Sequence, residues 1–385
     1  MFTYVSGKNW RNYFSPSCMD LNSPEVSIIG NQPSLTYGAS KRRFLLHKRQ
    51  RASRNRCFVP FLGPQVIRLI WRAVRSAALV VLLFPGSQAR AEDLAVDVIS
   101  LPPLRIEGRP AKAHIQGLEL AGGNYYMTAR RDDVRPRRAL LLRTDPAATG
   151  WGVWDITPMD AQDAPTVLDH PGGMQSDGTR LWIPVSESKR NSRSIIRAFQ
   201  LADLEAGRQL KPSFEFAVSD HIGAVAVSTE HGLLFGANWD TEKVYVWDLK
   251  GQLQQVLSGD RLEARGLGVV AGQEGRAGIA VQDWKVVGDR LYASGLFRSP
   301  KSATVSPASR LCWFEHFLEA NFQRQTVTLP RRDGIELGRE AMAVSGGSVY
   351  FLPEDLGAAN RLFRVPLAEL TKRGTTEQPR SSHAP

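Results

Sequence analysis

Five polar side chains recur at one place in a repeated pattern, and each can ligate a metal or act on a bound molecule. His114, His170, His221, Gln282 and Glu340 each stand four residues before an apolar residue, namely Leu118, Met174, Val225, Val286 and Val344, that ends a short apolar segment. Three neutral imidazoles with a carboxamide or carboxylate make a donor set suited to Zn²⁺, Mn²⁺ or Fe²⁺. In that reading His114, His170 and His221 hold the metal, Glu340 is the fourth ligand or a general base, and Gln282 binds metal or substrate. The metal would polarise a carboxyl group or generate hydroxide near neutral pH. The plainer alternative is a ring of polar residues that cap loops or bond neighbouring backbone.

A second group of candidates lies in the polar loops that follow. These carry Arg130, Arg131, Asp132 and Asp133; Glu187, Lys189, Arg190 and Arg193; Asn238 and Asp240; Arg298 and Lys301; and Glu354 and Asp355. Arg193, Asn238, Asp240 and Arg298, with Gln282, are the candidate ligand-binding set. Cations around such a site suit a small anionic or sugar-like ligand such as a uronic acid. Charged tips are also what solvated loops ordinarily show.

The elements that must position these residues are strands. Apolar pairs recur at Tyr125-Tyr126, Leu181-Trp182, Leu234-Phe235, Leu291-Tyr292 and Val349-Tyr350, at steps of 56, 53, 57 and 58 residues. Turn signals precede them, among them Gly122-Gly123, Asp177-Gly178 and Gly346-Gly347, as hairpins need. A further strand-like segment follows each pair, and no segment holds a helical period over three turns. Repeated antiparallel sheets of this kind predict an all-β fold, a β-propeller of five blades, with residues 94–106 supplying the outer strand that closes the ring. A sixth blade fits only if residues 249–280 hide another sheet, and a β-sandwich pair would not repeat with this period. In a propeller the innermost strands line the central channel, so one repeated position maps onto one ring around the axis. Trp247-Asp248 reads as a strand end followed by a turn acid, because the spacing exceeds that of WD40 repeats.

The fragments His170-Pro171-Gly172-Gly173-Met174, Asp220-His221-Ile222-Gly223 and Val281-Gln282-Asp283, with Asn191-Ser192-Arg193-Ser194 between the first two, resemble an uncharacterised family of exported bacterial propellers, domain of unknown function 6454. The resemblance spans roughly residues 100–370 and implies a secreted propeller; it carries no activity over. The donor set is similar to the three-His, one-Gln metal site of seven-bladed uronate lyases, an analogy of composition alone. A lactonase-like calcium propeller is a third reading, which Asn238 and Asp240 support and a His-rich ring opposes, since calcium prefers oxygen ligands. A non-catalytic propeller binding a ligand or protein through the same face is the alternative from a different class.

Composition bounds the rest. The chain has 385 residues, 42% of them hydrophobic, and a formal net charge of +11. Residues 1–91 carry 14 Lys+Arg against 2 Asp+Glu, whereas residues 92–385 carry 35 against 36, so the body gives no electrostatic reason to bind nucleic acid. Basic residues at 68, 72 and 75, an apolar core over 77–84, a Pro-Gly break and Ala89-Arg90-Ala91 have the order of a secretory signal at 66–91, cut after Ala91. Its core is too short to span a bilayer, so no stable membrane anchor is expected after cleavage. Residues 1–65 read as a disordered or spurious extension, 92–372 as the propeller and 373–385 as a disordered polar tail. Cys312 is the single cysteine after residue 91 and reads as a buried small hydrophobe. There is no Gly-x-Ser-x-Gly elbow, His-Glu-x-x-His, Cys-x-x-Cys pair or phosphate loop, which removes the usual signatures of hydrolases, zinc proteases and NTPases.

Overall fold

The computed structural model describes residues 94–147, 149–159, 166–204, 210–268, 278–298 and 308–377. The expected extension over 1–65, the expected export signal over 66–91, Lys301 and the last eight residues lie outside the described residues. Among the described residues no helix is long and apolar enough to cross a membrane.

Five antiparallel sheets follow one another along the chain. Blade 1 runs His114–Ala121, Asn124–Arg131, Arg138–Thr144 and Gly152–Asp155 from the axis outward. Blade 2 has a broken innermost strand, His170–Pro171 and Gln175–Ser176, then Arg180–Ser186, Ser194–Gln200 and Phe214–Val218. Blade 3 is Ile222–Ser228, Leu233–Asn238, Lys243–Asp248 and Leu253–Ser258, and blade 4 is Gly278–Val287, Arg290–Arg298, Ala308–Glu315 and Gln323–Thr328. Blade 5 is Ala341–Ser345, Ser348–Leu352 and Asn360–Pro366, and Asp97–Leu101 pairs with Asn360–Pro366 as its outermost strand. The first strand thus closes the ring, which leaves no unpaired gap between first and last blades. Between 249 and 280 the described residues form the outer strand of blade 3, a single helical turn at Asp260–Glu263 and the start of blade 4, and no sixth sheet appears among them. At the other end, Thr375–Glu377 adds a fifth strand to blade 4 beside Gln323–Thr328, which corrects the expected tail: the chain beyond Lys372 still forms sheet.

Local chemistry explains the hairpins. The Gly122-Gly123 and Gly346-Gly347 turns take positive φ at both residues, the two-residue geometry that matches strand twist. Asp248 ends its strand and its Oδ1 accepts from Lys250 N and Gln252 N, both at 2.9 Å, as a turn acid should. Large side chains such as Trp182, Trp284 and Trp313 are fully buried between blades.

The axis is closed by one carboxylate. Register places Gly117, Gly173, Ala224, Asp283 and Ala341 at one level of the five innermost strands. Four are small, and the Asp283 side chain fills the space they leave. Its Oδ2 accepts from Leu118 N at 3.1 Å in blade 1 and Met342 N at 3.0 Å in blade 5. Its Oδ1 accepts from Trp284 N at 2.9 Å and Lys285 Nζ at 2.5 Å. A Cβ on Gly173 would sit 2.5 Å from Asp283 Oδ1, so blade 2 needs glycine there. Burial raises the Asp283 carboxyl to about 6 against the Lys285 ammonium that holds it down, which still leaves it ionised at pH 7.

One level further along the axis lie Glu119, Gln175, Ala226, Lys285 and Ala343. Gln175 Oε1 accepts from Val227 N and Val286 N, bridging blades 3 and 4. Burial lifts Glu119 to about 7, and its Oε2 has no hydrogen-bond partner.

Two predictions follow from this plug. Asp283→Asn or Lys285→Met alone leaves a buried group unpaired and should lower urea stability by about 3–5 kcal/mol, while the double variant recovers part of the loss; strictly additive losses would show that the two are not coupled. Because Glu119 has a raised pKa, the stability tied to its protonation is present at low pH and fades as pH rises through about 7. Glu119→Gln should therefore gain about 2–3 kcal/mol over the parent at pH 8 and little at pH 5, measured by denaturant unfolding at both values.

Candidate functional site

The three histidines begin, or directly precede, the innermost strands of blades 1 to 3. His114 lies opposite Arg130, His170 opposite Ser186, and His221 precedes Ile222, which lies opposite Asn238. A bulge at Gln116 and another at Gly223 follow two residues after a histidine, and Gly172 holds the same place in blade 2. These are one register position.

Gln282 and Glu340 are not at that position, which corrects the sequence alignment. Blade 4 has its bulge at Gln282, so Gln282 matches Gln116, and the residue matching the histidines is Ala280. In blade 5 the paired strand begins at Ala341, level with Gly117, and Met342 matches Leu118, as their shared bond to Asp283 Oδ2 confirms, so Glu340 falls at the place of Gln116 and Gln282. Counting back from there puts Gly338 at the histidine position. The sequence count went astray because Trp284 and Val286, and likewise Met342 and Val344, alternate as apolar residues; Val286 and Val344 each lie one pleat too far along.

Glu340 nevertheless joins the mouth from blade 5. It is buried, which raises its carboxyl to about 7, against the favourable charges of His114 and Arg339. His114 donates through Nδ1 to Asp355 Oδ1 at 2.7 Å, and that bond raises the imidazole above its ordinary range while it lowers Asp355. The His114 side chain stays 26% exposed. Asp355 thus orients a solvent-accessible imidazole next to a buried acid.

The other two histidines are held neutral. Burial drives His170 well below the usual imidazole range, helped by His221 and Arg130, and burial also lowers His221. Their partners fix different tautomers. Arg130 Nη1 can only donate, so at 2.8 Å it requires a lone pair on His170 Nδ1 and leaves the proton on Nε2. The Glu187 carbonyl can only accept, so at 2.8 Å it requires the proton on His221 Nδ1. The two rings lie 5.3 Å apart, and Trp239 packs edge-on against His221 at 4.6 Å with Arg190 over its ring.

Among the described residues no three His, Cys, Asp or Glu side chains come together as a metal-binding group. The Arg130 guanidinium lowers both His114 and His170 by its charge.

Most loop charges are spent within the scaffold. Arg130 Nε and Nη2 grip both oxygens of Asp132, and its Nη1 also reaches Ser188 Oγ at 3.2 Å. Arg193 pairs with Glu187, Arg190 with Asp240 and Glu242, and Glu354 with Arg361. Asn238 is buried; it donates to Asp220 Oδ2 at 3.0 Å and accepts from Lys243 N at 2.7 Å. Arg193, Asn238 and Asp240 therefore brace the rim and are not drawn together with the ring. Arg298 ends its strand opposite Gly278, in blade 4. Sequence reading placed Arg130 and Asp355 among loop charges without their roles, and Trp239 went unremarked.

Residues 159–307 match a family model described as a family of unknown function, DUF6454. No curated protein matches the chain. Among solved structures the chain is similar to hydrazine synthase of Kuenenia stuttgartiensis, at 12% identity and a TM-score of 0.35 over 65% of this chain and 77% of that one. It is also similar to the WD40 domain of Toxoplasma gondii coronin, at 9% identity and 0.35 over 76% and 88%, and to a glycosyl hydrolase from Bacteroides ovatus, at 11% and 0.38 over 71% and 88%.

Imidazole ¹⁵N NMR of the folded chain should show His170 protonated on Nε2 and His221 on Nδ1, both staying neutral to lower pH than a free histidine, with His114 titrating above one. Identical tautomers at His170 and His221 would contradict the assigned partners.

Proposed function

We propose that the mouth of the channel on the histidine side binds a small anionic or sugar-like molecule, and that His114 and Glu340 exchange protons with it. The observation that supports this reading is the His114–Asp355 pair beside the buried Glu340. An imidazole oriented by a carboxylate is a general base whose free nitrogen points away from its partner. A carboxylic acid that holds its proton near neutral pH is a general acid. His170 and His221, being neutral, offer hydrogen bonds without charge, which suits hydroxyl groups. The Asp283 plug makes the mouth a closed-ended cup in which a ligand would meet side chains and not a through-going channel. No metal enters this scheme. The export pattern at 66–91 favours a secreted or periplasmic setting.

A purely binding role is the second reading. The pairing of Arg130, Arg190 and Arg193 with acids of the scaffold favours it, because these cations are committed before any ligand arrives.

Calorimetry with D-glucuronate and D-galacturonate against neutral glucose tests the site. The acids should bind and glucose should not, and His114→Ala should weaken binding at least about tenfold, the scale of one charge-assisted contact. Affinity should fall as pH rises from 6 to 8, because Glu340 ionises through about 7 and its negative charge then repels the ligand. Glu340→Gln should flatten that dependence. Incubation in D₂O separates the two readings: loss of the proton signal next to the carboxylate, absent in His114→Ala, marks proton transfer, whereas binding without exchange leaves a binding protein. Failure of both acids to bind would refute the proposal. One equivalent of transition metal in the purified protein, lost in a His170→Ala/His221→Ala variant, would restore the metal reading.

A further inference from the structure

A cleft beside the mouth is formed by three chain segments, each of which also supplies the mouth. After the closing strand the chain runs through Pro102-Pro103-Leu104 and makes a small hairpin, Arg105–Ile106 with Arg109–Pro110, turned by Glu107 and Gly108 at positive φ. It returns through Ala111 and Lys112 to His114. The hairpin base is tied to the blade 5 loop by Leu104 N to Gly357 O at 2.7 Å, by Ala113 N to Leu356 O at 3.0 Å, and by Leu356 N to Ala113 O at 2.9 Å. Asn360 Nδ2 adds a bond to Pro102 O at 2.6 Å. Between this hairpin, the blade 5 loop and the blade 1 loop lies a cavity of about 340 Å³. Leu104, Pro110, Ala111 and Ala358 give it an apolar lining, and the charged residues Arg105, Lys112 and Asp133 also line it.

The cleft adjoins the mouth through covalent structure. Lys112 is two residues from His114, Ala358 is three from Asp355, and Asp133 follows the Asp132 that holds Arg130. Such separations span at most about 7 and about 11 Å of chain. A volume of this size lies at the small end of ligand pockets. Asp133 is engaged by Arg131 at 2.9 Å, whereas among the described residues Lys112 forms no salt bridge in the structure. The uncompensated charge at the edge is therefore positive.

We propose that the cleft is the second half of the ligand site and takes the apolar segment of an amphipathic anion whose polar head lies at His114. The expected ligand class is a sugar acid or carboxylate extended by an aryl or alkyl group, with Lys112 drawing the negative charge. This inference rests on the proposed mouth site for the head group. The apolar lining supplies affinity that a bare sugar acid cannot use.

The test compares D-glucuronate with 4-nitrophenyl β-D-glucuronide on the folded chain. The aryl compound should bind roughly tenfold more tightly, about what burying one ring face supplies. Ala358→Trp, an exposed position that fills the cleft, should erase that gain and leave glucuronate unaffected. A gain that persists in Ala358→Trp, or no gain at all, overturns the proposal. If glucuronate itself does not bind, the mouth reading fails, and anilinonaphthalene sulfonate fluorescence then judges the cleft alone. Loss of that signal in Ala358→Trp and in Lys112→Glu, with retention in His114→Ala, would keep the cleft as an apolar-anion site. Indifference to Ala358→Trp would reject it.

Discussion

Four donors converge on the Asp283 carboxylate, and three blades take their spacing from it. Two of the donors are backbone N–H groups from blades 1 and 5, so the side chain acts where a ladder bond would act in a flat sheet. A five-bladed ring brings its innermost strands close enough that most side chains do not fit at the axis. Blades 2 and 3 make the point directly: Gly173 N bonds Gly223 O, and Val225 N bonds Gly173 O, both at 2.9 Å, backbone to backbone across the blade boundary. Thr128 Oγ1 caps Gly172 O at 2.7 Å in the same layer. Asp283 fits because its neighbours at that level have almost no side chain. A buried carboxylate with an adjacent ammonium is costly by itself. Here it also satisfies three backbone donors that would otherwise be stranded.

The closure at the axis governs the chemistry of the mouth. With the channel plugged, the histidine ring is the floor of a cup, and its members are desolvated to different degrees. His170 and His221, deepest, are pushed toward the neutral form. His114, nearer the opening and bonded to Asp355, is pushed toward the charged form. Three histidines at one register position are therefore not equivalent donors. The asymmetry continues around the ring, because blades 4 and 5 contribute Ala280 and Gly338 at that level and leave one side open to Glu340.

The blades were legible in the sequence because their turns are chemically marked. Each turn carries a glycine that takes positive φ, and these turns recur at the period of the repeat. The shared register of the three histidines was legible for a related reason: blades 1, 2 and 3 all hold the same number of residues between histidine and the axial apolar residue. Blades 4 and 5 each offer two alternating apolar residues to count from, so sequence spacing misplaced Gln282 and Glu340 by one pleat. The role of Asp355 was hidden for a different reason. It meets His114 across 241 residues of chain, and only ring closure brings them together. Asp283 stood in a quoted motif, yet its task depends on the small residues of four other blades.

Glu119 and Glu340 show why perturbation of a carboxyl does not by itself identify a site. Both are lifted by burial to about 7. Glu119 lies on the far side of the plug, between Lys285 and Asp283, where its proton has no route to an orientable base. Its raised value is a stability cost that grows with pH. Glu340 sits above the plug with His114 as its principal charged neighbour, and that imidazole is exposed and oriented by a third group. Equal desolvation thus has two consequences, and the difference lies in what stands beside each acid. Perturbed groups become candidates for chemistry where a partner, an opening and a fixed orientation coincide. In this propeller those conditions meet at blades 1 and 5, on the histidine side of Asp283.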